Sequence, residues 1–315
     1  MKSNPKTDPC AIAIVAYPGV QMSAVMGLDD LFTIANSYSE NQGARQLQVV
    51  EVTATGANEL PESSFKGVIL PPTLSGVRGK EEYDLQKWLR AQHKDGAVMC
   101  SICGGAFWLG YSGLLKGRPA TTHWLLEDSF RAEFPQTLTN AEALLIDDHD
   151  IVTAGGLMAW LDLGLFIVKR FLGPQIMSQT ARHLLIDPSG REQKNYRSFT
   201  PPLTHGDHVV LQLQHWLEGN AAEDLTVKAM SAKTNLSERT FLRRFKKATG
   251  YTPSIYTQNL RIEKARGLLE RTRTSVAEIS WQVGYGDASA FSRIFKTYTG
   301  LSAREYRKRF GVSDA

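Results

Sequence analysis

The sequence predicts an α/β N-terminal domain built on a parallel sheet, followed by an all-α C-terminal domain. Three observations carry that expectation. Short apolar runs alternate with helical patterns through the first two hundred residues. A stretch rich in Pro, Gly and Ser, Asp187–Asp207 (DPSGREQKNYRSFTPPLTHGD), then has no hydrophobic periodicity. Beyond it one helical unit is used twice: Ser237–Gly250 (SERTFLRRFKKATG) returns as Ala288–Gly300 (ASAFSRIFKTYTG). The copies align at an offset of fifty, matching Phe241 with Phe291, Arg243 with Arg293 and Phe245 with Phe295. Lys246 matches Lys296, Gly250 matches Gly300, and Tyr256 and Tyr306 keep the register. A repeat of that length is one supersecondary unit used twice.

In the first half, Ala11–Tyr17 (AIAIVAY) is a continuous apolar run, as expected of a strand buried on both faces, and Pro18-Gly19 ends it. Gly27–Tyr38 is expected as a helix, and Leu47–Thr53 and Gly67–Leu70 as strands. Tyr83–His93 is an amphipathic helix and Ala97–Ile102 another apolar strand. Strands alternating with helices imply a parallel sheet.

Cys103-Gly104-Gly105-Ala106-Phe107 follows that last strand and opens a helical pattern. Strand, sharp turn, small residues and helix describe a nucleophile elbow. A thiol at a helix N-terminus is expected to have a lowered pKa. His123, in Ala120-Thr121-Thr122-His123-Trp124, is a histidine that could lie beside it. Cys100 and Cys103 have CxxC spacing, but Cys100 falls in the strand and no second cysteine pair completes a zinc site.

Composition limits the alternatives. The 315 residues, of ordinary globular composition, suffice for two domains. The net charge of +4 is uneven: from Ala221 onward there are 18 Lys and Arg against 9 Asp and Glu, and before it 18 against 23. A basic C-terminal domain on an acidic body points to a polyanion partner. Three cysteines give no disulfide framework and fit a reducing compartment. The N-terminus has no apolar signal region, and the longest apolar segment, Leu157–Val168, contains Asp162 and is too short to span a bilayer. A cytoplasmic location is expected, with no membrane partner.

The repeat has its own chemistry. In the first copy Thr226 caps a short helix, Thr234-Asn235-Leu236 makes the turn, and Ser237 caps the next helix. Phe241, Phe245 and Ala248 fall on one face, with Arg239, Leu242, Arg243 and Lys246 opposite. In the second, Ser275 and Glu278 form a capping box, Gly284-Tyr285-Gly286 turns, and Asp287 caps. Phe291, Ile294, Phe295 and Tyr298 face inward, leaving Ser289, Ser292, Arg293 and Lys296 outward. Each copy is a helix-turn-helix. Between them Pro253–Arg271 is one long helix that would fix their separation; entry into successive major grooves requires about 34 Å.

Two resemblances follow. The elbow, Gly113-Leu114-Leu115-x-Gly117-Arg118-x-Ala120-Thr121-Thr122-His123-Trp124, and Thr153-Ala154-Gly155-Gly156 before a helix holding Asp162 resemble the PfpI/ThiJ-like domain. The likeness runs from about Ala11 to Leu185 and implies a flavodoxin-like fold of the class I glutamine-amidotransferase kind. In that superfamily the elbow cysteine and the histidine can be catalytic, helped by an acid from the segment after the first strand. Here that position is Ala24, with Asp29 and Asp30 inside the helix, so Cys103 and His123 are degenerate catalytic candidates and no enzyme is expected, the alternative being a cysteine-dependent amidase or deglycase, or a thiol redox sensor, in the N-terminal domain. The elbow is expected to line a ligand pocket with Cys103, Gly104, His123 and Trp124.

The stretch His208–Phe310 resembles the DNA-binding domain of AraC/XylS-type transcription regulators, most specifically through Ser289-Ala290-Phe291-Ser292-Arg293-x-Phe295-Lys296 and Gly300-Leu301-Ser302. Ala303 stands where relatives usually have proline, which should loosen entry to the last helix. The fusion is a recognised subgroup of these regulators. The resemblances imply a ligand-sensing and dimerisation domain at 1–186, a linker at 187–204 and a DNA-binding domain at 205–315. They imply double-stranded DNA, RNA polymerase, a second copy of the chain and a small effector, an amino acid or amine, as partners, with no cofactor or metal. The DNA-contacting residues would be Arg239, Leu242, Arg243, Lys246, Ser289, Ser292, Arg293 and Lys296, the lysines serving phosphates.

Overall fold

A computed structural model describes residues 9–41, 45–54, 60–76, 83–188, 191–223 and 225–311. The chain forms two compact units, residues 1–193 and 194–315. The division falls within the stretch expected to be linker.

The first unit holds strands β1 (Cys10–Ala16), β2 (Leu47–Thr53), β3 (Gly67–Leu70), β4 (Val98–Ile102), β5 (Pro119–Ala120), β6 (Leu138–Thr139), β7 (Leu145–Asp148) and β8 (Ile151–Ala154). Six make one sheet in the order β2-β1-β3-β4-β8-β7. Every pair in it is parallel except the β7–β8 hairpin. The hairpin was not legible as strands because it is short and its turn residue His149 is a non-glycine at φ 64°.

Alternation along the strands separates two cores. Ile12, Ile14, Cys100 and Ile102 face one cluster, while Ala13, Val15 and Met99 face another. Helices α1 (Met22–Glu40), α5 (Trp160–Leu172) and α6 (Pro174–His183) supply the first cluster with Leu28, Leu163 and Ile176. Helices α2 (Tyr83–Lys94), α3 (Ala106–Tyr111) and α4 (Glu127–Glu133) supply the second with Leu89, Phe107 and Phe130. Helix α1 begins five residues before its sequence pattern does, at an extended Gln21 whose side chain makes no cap. Strand order turns back at β1 and β3, so ligand chemistry belongs at the carboxyl ends of these strands.

The second unit is helical: α7 (His208–Asn220), α8 (Val227–Lys233), α9 (Glu238–Thr249), α10 (Pro253–Arg271), α11 (Val276–Gln282), α12 (Ala288–Thr299) and α13 (Ala303–Phe310). It has two cores. Val210, Leu213, Met230, Phe241, Phe245 and Tyr256 form one. Ile262, Leu269, Ile279, Phe291, Phe295 and Tyr306 form the other. The phenylalanines and tyrosines at the fifty-residue offset are the buried centre of each copy, each Phe worth about 3–5 kcal/mol against alanine.

Helix α10 contributes to both cores and, at 1.5 Å per residue, is about 28 Å long. Its Arg261 donates to the carbonyls of Ala221 (2.6 Å) and Glu223 (2.7 Å) and lies over the Tyr285 ring. Gly284, at φ 87°, packs so closely on the Ala222 backbone that a Cβ there would collide. The copies are therefore bolted together rather than strung on a rod.

Residues 194–207 are a strap across both copies. Arg266 of α10, 4% exposed, donates to the carbonyls of Lys194 (3.3 Å) and Arg197. The Phe199 ring lies edge-on to Tyr251 and Tyr256, and its amide N–H donates to Glu263. Tyr196 packs on Phe310. Polar, proline-rich sequence hides this packing because most of its partners lie 50 to 70 residues away.

Candidate nucleic-acid interface and elbow site

Each helix-turn-helix is built by its caps. Thr226 and Ser237 accept from the amide N–H groups of Ala229 and Thr240, opening α8 and α9. Between them Asn235 takes the left-handed turn, φ 54°. In the second copy Ser275 and Glu278 close their capping box at α11, Gly284 turns, and Asp287 accepts from Ser289 and Ala290 to open α12. Both α9 and α12 end on left-handed glycines, Gly250 and Gly300.

With the phenylalanines inward, the opposite faces are fixed by helical spacing. Arg239, Leu242, Arg243 and Lys246 are exposed on α9, and Ser289, Ser292, Arg293 and Lys296 on α12. An aliphatic Leu242 at 38% exposure, among cations, suits apolar contact with a thymine methyl. The faces differ in freedom. The Ser292 hydroxyl donates to Ala288 of its own helix, leaving an acceptor outward. Asp287 is held below the usual carboxylate range by the amides of Ser289 and Ala290, with Arg293 adding its charge.

Arg244, next to Arg243 in sequence, is not part of that exposed stripe. It forms a two-pronged pair with Asp207, 2.9 and 2.7 Å, at the cap of α7. It belongs to the scaffold rather than to the outward stripe. Large side chains without a sequence signal also emerge: Trp281 of α11 is 65% exposed beside the second turn.

In the first unit, β4 ends at Ile102 and the chain turns sharply through Cys103, a non-glycine at φ 54°, into a short helical turn. Gly105 permits the turn, since a Cβ there would collide with the carbonyl oxygen of Leu70. Strain of this kind is characteristic of functional sites. The expected drop in thiol pKa is overturned. Amide N–H groups of Gly104 and Gly156 reach the sulfur, but burial outweighs them and pushes the Cys103 thiol up to about 11.

His123 is partly brought to the elbow. Its neighbour Thr122 donates from its hydroxyl to the Cys103 carbonyl at 2.8 Å. The His123 ring itself accepts from the Leu125 amide through Nδ1, which caps its own turn, and burial lowers its pKa. Trp124 lies against it, ring centroids 5.5 Å apart. Ala24 is fully buried on α1, and Asp29 and Asp30 are exposed on that helix. Tyr17, at the end of β1, rests on Trp108 and donates to the Pro71 carbonyl. Among the described residues no group of three His, Cys, Asp or Glu could hold a metal ion, and no helix is long and apolar enough to cross a membrane.

The wall behind Thr122 is closed by a residue with no local sequence signal. Gln193, 3% exposed, donates through Nε2 to Thr121 Oγ1 (3.1 Å), the Thr122 carbonyl (2.9 Å) and the Ala143 carbonyl (2.9 Å). Its Oε1 accepts from the Trp124 amide at 3.1 Å. Gly155 is required beside it, because a Cβ would collide with the Gln193 amide.

An elbow-bearing α/β domain followed by a double helix-turn-helix module defines the class of protein. A family model described as DJ-1/PfpI family matches residues 30–170, and one described as helix-turn-helix domain matches residues 230–309. The two matches fall in separate units of the chain, the first in residues 1–193 and the second in residues 194–315. It is 30% identical over 231 residues to the HTH-type transcriptional regulator CdhR of Pseudomonas aeruginosa, covering 73% of this chain and 65% of that one. It is 26% identical over 225 residues to the HTH-type transcriptional regulator GbdR of the same species, covering 70% and 60%. The chain thus spans just under two thirds of the length of these relatives. Among solved structures, an AraC family transcriptional regulator from Pseudomonas putida superposes with a TM-score of 0.48 at 18% identity, over 56% of this chain and 100% of that one.

Proposed function

We propose that the chain is a sequence-specific DNA-binding transcription regulator whose first unit binds a small metabolite. One observation carries the reading: two helices, built on identical buried phenylalanines, present polar and basic faces fixed by caps and by α10. Arg239, Arg243 and Arg293 have the reach for bidentate bonds to guanine, while Lys246 and Lys296 suit phosphates. Leu242, Ser289 and Ser292 complete the contact set. The named relatives are transcriptional regulators, which supports this reading.

The elbow is read as a ligand pocket, lined by Cys103, Gly104, His123 and Trp124, and not as a catalytic centre. A thiol kept protonated by burial, a histidine whose Nδ1 serves as a cap and an alanine at the acid position do not make a nucleophile. An amino acid or amine is the proposed effector class, and a homodimer, RNA polymerase contact and a cytoplasmic location complete the proposal. Gel shift with genomic fragments followed by footprinting tests it. Protection of a discrete site in moderate salt is the expected result; uniform, salt-sensitive binding to every fragment would sink it.

A further inference from the structure

The chain leaves the first unit and enters the second at consecutive residues, and both are anchored. On the first side, Arg191 pairs with Asp162 of α5, Glu192 bridges to Ala143, and the Gln193 side chain fills the wall of the elbow site. On the second side, the Lys194 and Arg197 carbonyls are held by the buried Arg266, and Asn195 is buried close against Gly300, the left-handed cap of α12. One peptide bond, with about 3.8 Å between its Cα atoms, separates the last residue of one set from the first of the other. No residue between them is spare.

From Cys103 the connection runs through the Thr122 hydroxyl, the Thr122 carbonyl and the Gln193 amide to the backbone of Lys194. A ligand that moves the Thr122–Trp124 segment must change the bonds of Gln193, because four of its hydrogen bonds end there or on Thr121 and Ala143. Resting on the regulator reading above, we propose that Gln193 is the positioning residue that couples occupancy of the elbow site to the DNA-binding unit. Two sites so coupled are coupled reciprocally, so DNA must change the elbow as the effector changes DNA affinity. That permits a test without knowing the effector.

The probe is iodoacetamide labelling of Cys103 in the full-length chain, followed at the Cys103 peptide by mass spectrometry, with and without the DNA fragment that footprinting selects. Labelling of a buried thiol reports how often its surroundings open. In the unaltered protein, saturating DNA should change the rate by about fivefold or more, the lower range of allosteric couplings. Gln193→Ala should bind the fragment about equally tightly yet lose that change. A second variant inserts two glycines between Gln193 and Lys194. It keeps the side-chain bonds of Gln193 and adds slack of up to about 7 Å, and it too should lose the change. This variant decides the matter if Gln193→Ala fails to fold. A rate that DNA leaves unchanged in the unaltered protein, or changes equally in the insertion variant, overturns the coupling. A chain that selects no fragment overturns the regulator reading instead.

Discussion

Arg244 and Asp207 close a two-pronged ion pair, 2.9 and 2.7 Å, that ties helix α9 to the cap of α7. The pair removes one cation from a face that sequence alone makes the more basic of the two. The asymmetry between the copies is thus smaller in electrostatics, and larger in mechanics, than the residue count suggests.

The Asp207 carboxyl lies below its ordinary pKa, chiefly through the Arg244 hydrogen bonds. A depressed carboxylate stabilises the fold above the unfolded value of about 3.9 and ceases to do so as pH falls through the folded one. Arg244→Ala should therefore lower the melting temperature at pH 7. The gap from the unaltered protein should narrow below about pH 4. Operator affinity at pH 7 should change far less than in Arg243→Ala; equal losses would return Arg244 to the DNA face.

Arg243→Ala and Arg293→Ala are expected to weaken binding to the selected site by about 1–3 kcal/mol each, and binding to random duplex much less. Competition gel shifts measure both. Lys246→Ala and Lys296→Ala should instead lower both affinities together and reduce the salt slope by about one.

Cys103 should behave as an inert thiol. With its pKa pushed up to about 11 by burial, alkylation should climb about tenfold per pH unit from neutrality to about pH 10, following the thiolate fraction. A rate that levels off near pH 7, or amide hydrolysis abolished by Cys103→Ala, would show an activated nucleophile and restore the enzyme reading.

Ala303→Pro should stabilise the second unit by about 0.4–1 kcal/mol in chemical denaturation. Ala303 is the first residue of α13, where an amide N–H is unpaired anyway, and Ser302 before it is extended at φ −64°, ψ 155°. The first copy already places Pro253 in the matching position behind Thr252. Entry to α13 needs no proline because Ser302 and Glu305 form a capping box there. If the variant is less stable, the half-turn around Ala303, which is buried at 3% exposure, cannot take the ring.

Much of this was legible in the sequence because it depends on local rules. Apolar runs gave the parallel strands, and caps and turn glycines gave the two helix-turn-helix units nearly to the residue. Spacing alone put Phe241 and Phe291 inside and Arg243 and Arg293 outside. What could not be read depends on distant partners. Nothing around Cys103 announces that burial would outweigh two amide hydrogen bonds. The polar composition of Asp187–Asp207 reads as free linker, since Gln193 bonds to residues 50 to 72 positions away and Arg266 reaches back 72 to Lys194. Periodicity has no signature for such contacts.

The strap also decides what can be inherited as a part. Recombination that grafts a reading module onto a new sensor succeeds when the seam falls where few bonds cross it. A seam at residue 205 would discard Phe199 from a core and leave the Arg266 guanidinium buried with its carbonyl partners gone. A seam after Gln193 keeps the module whole. Were the second unit grafted as a part, it would have to begin at Lys194, fourteen residues before α7.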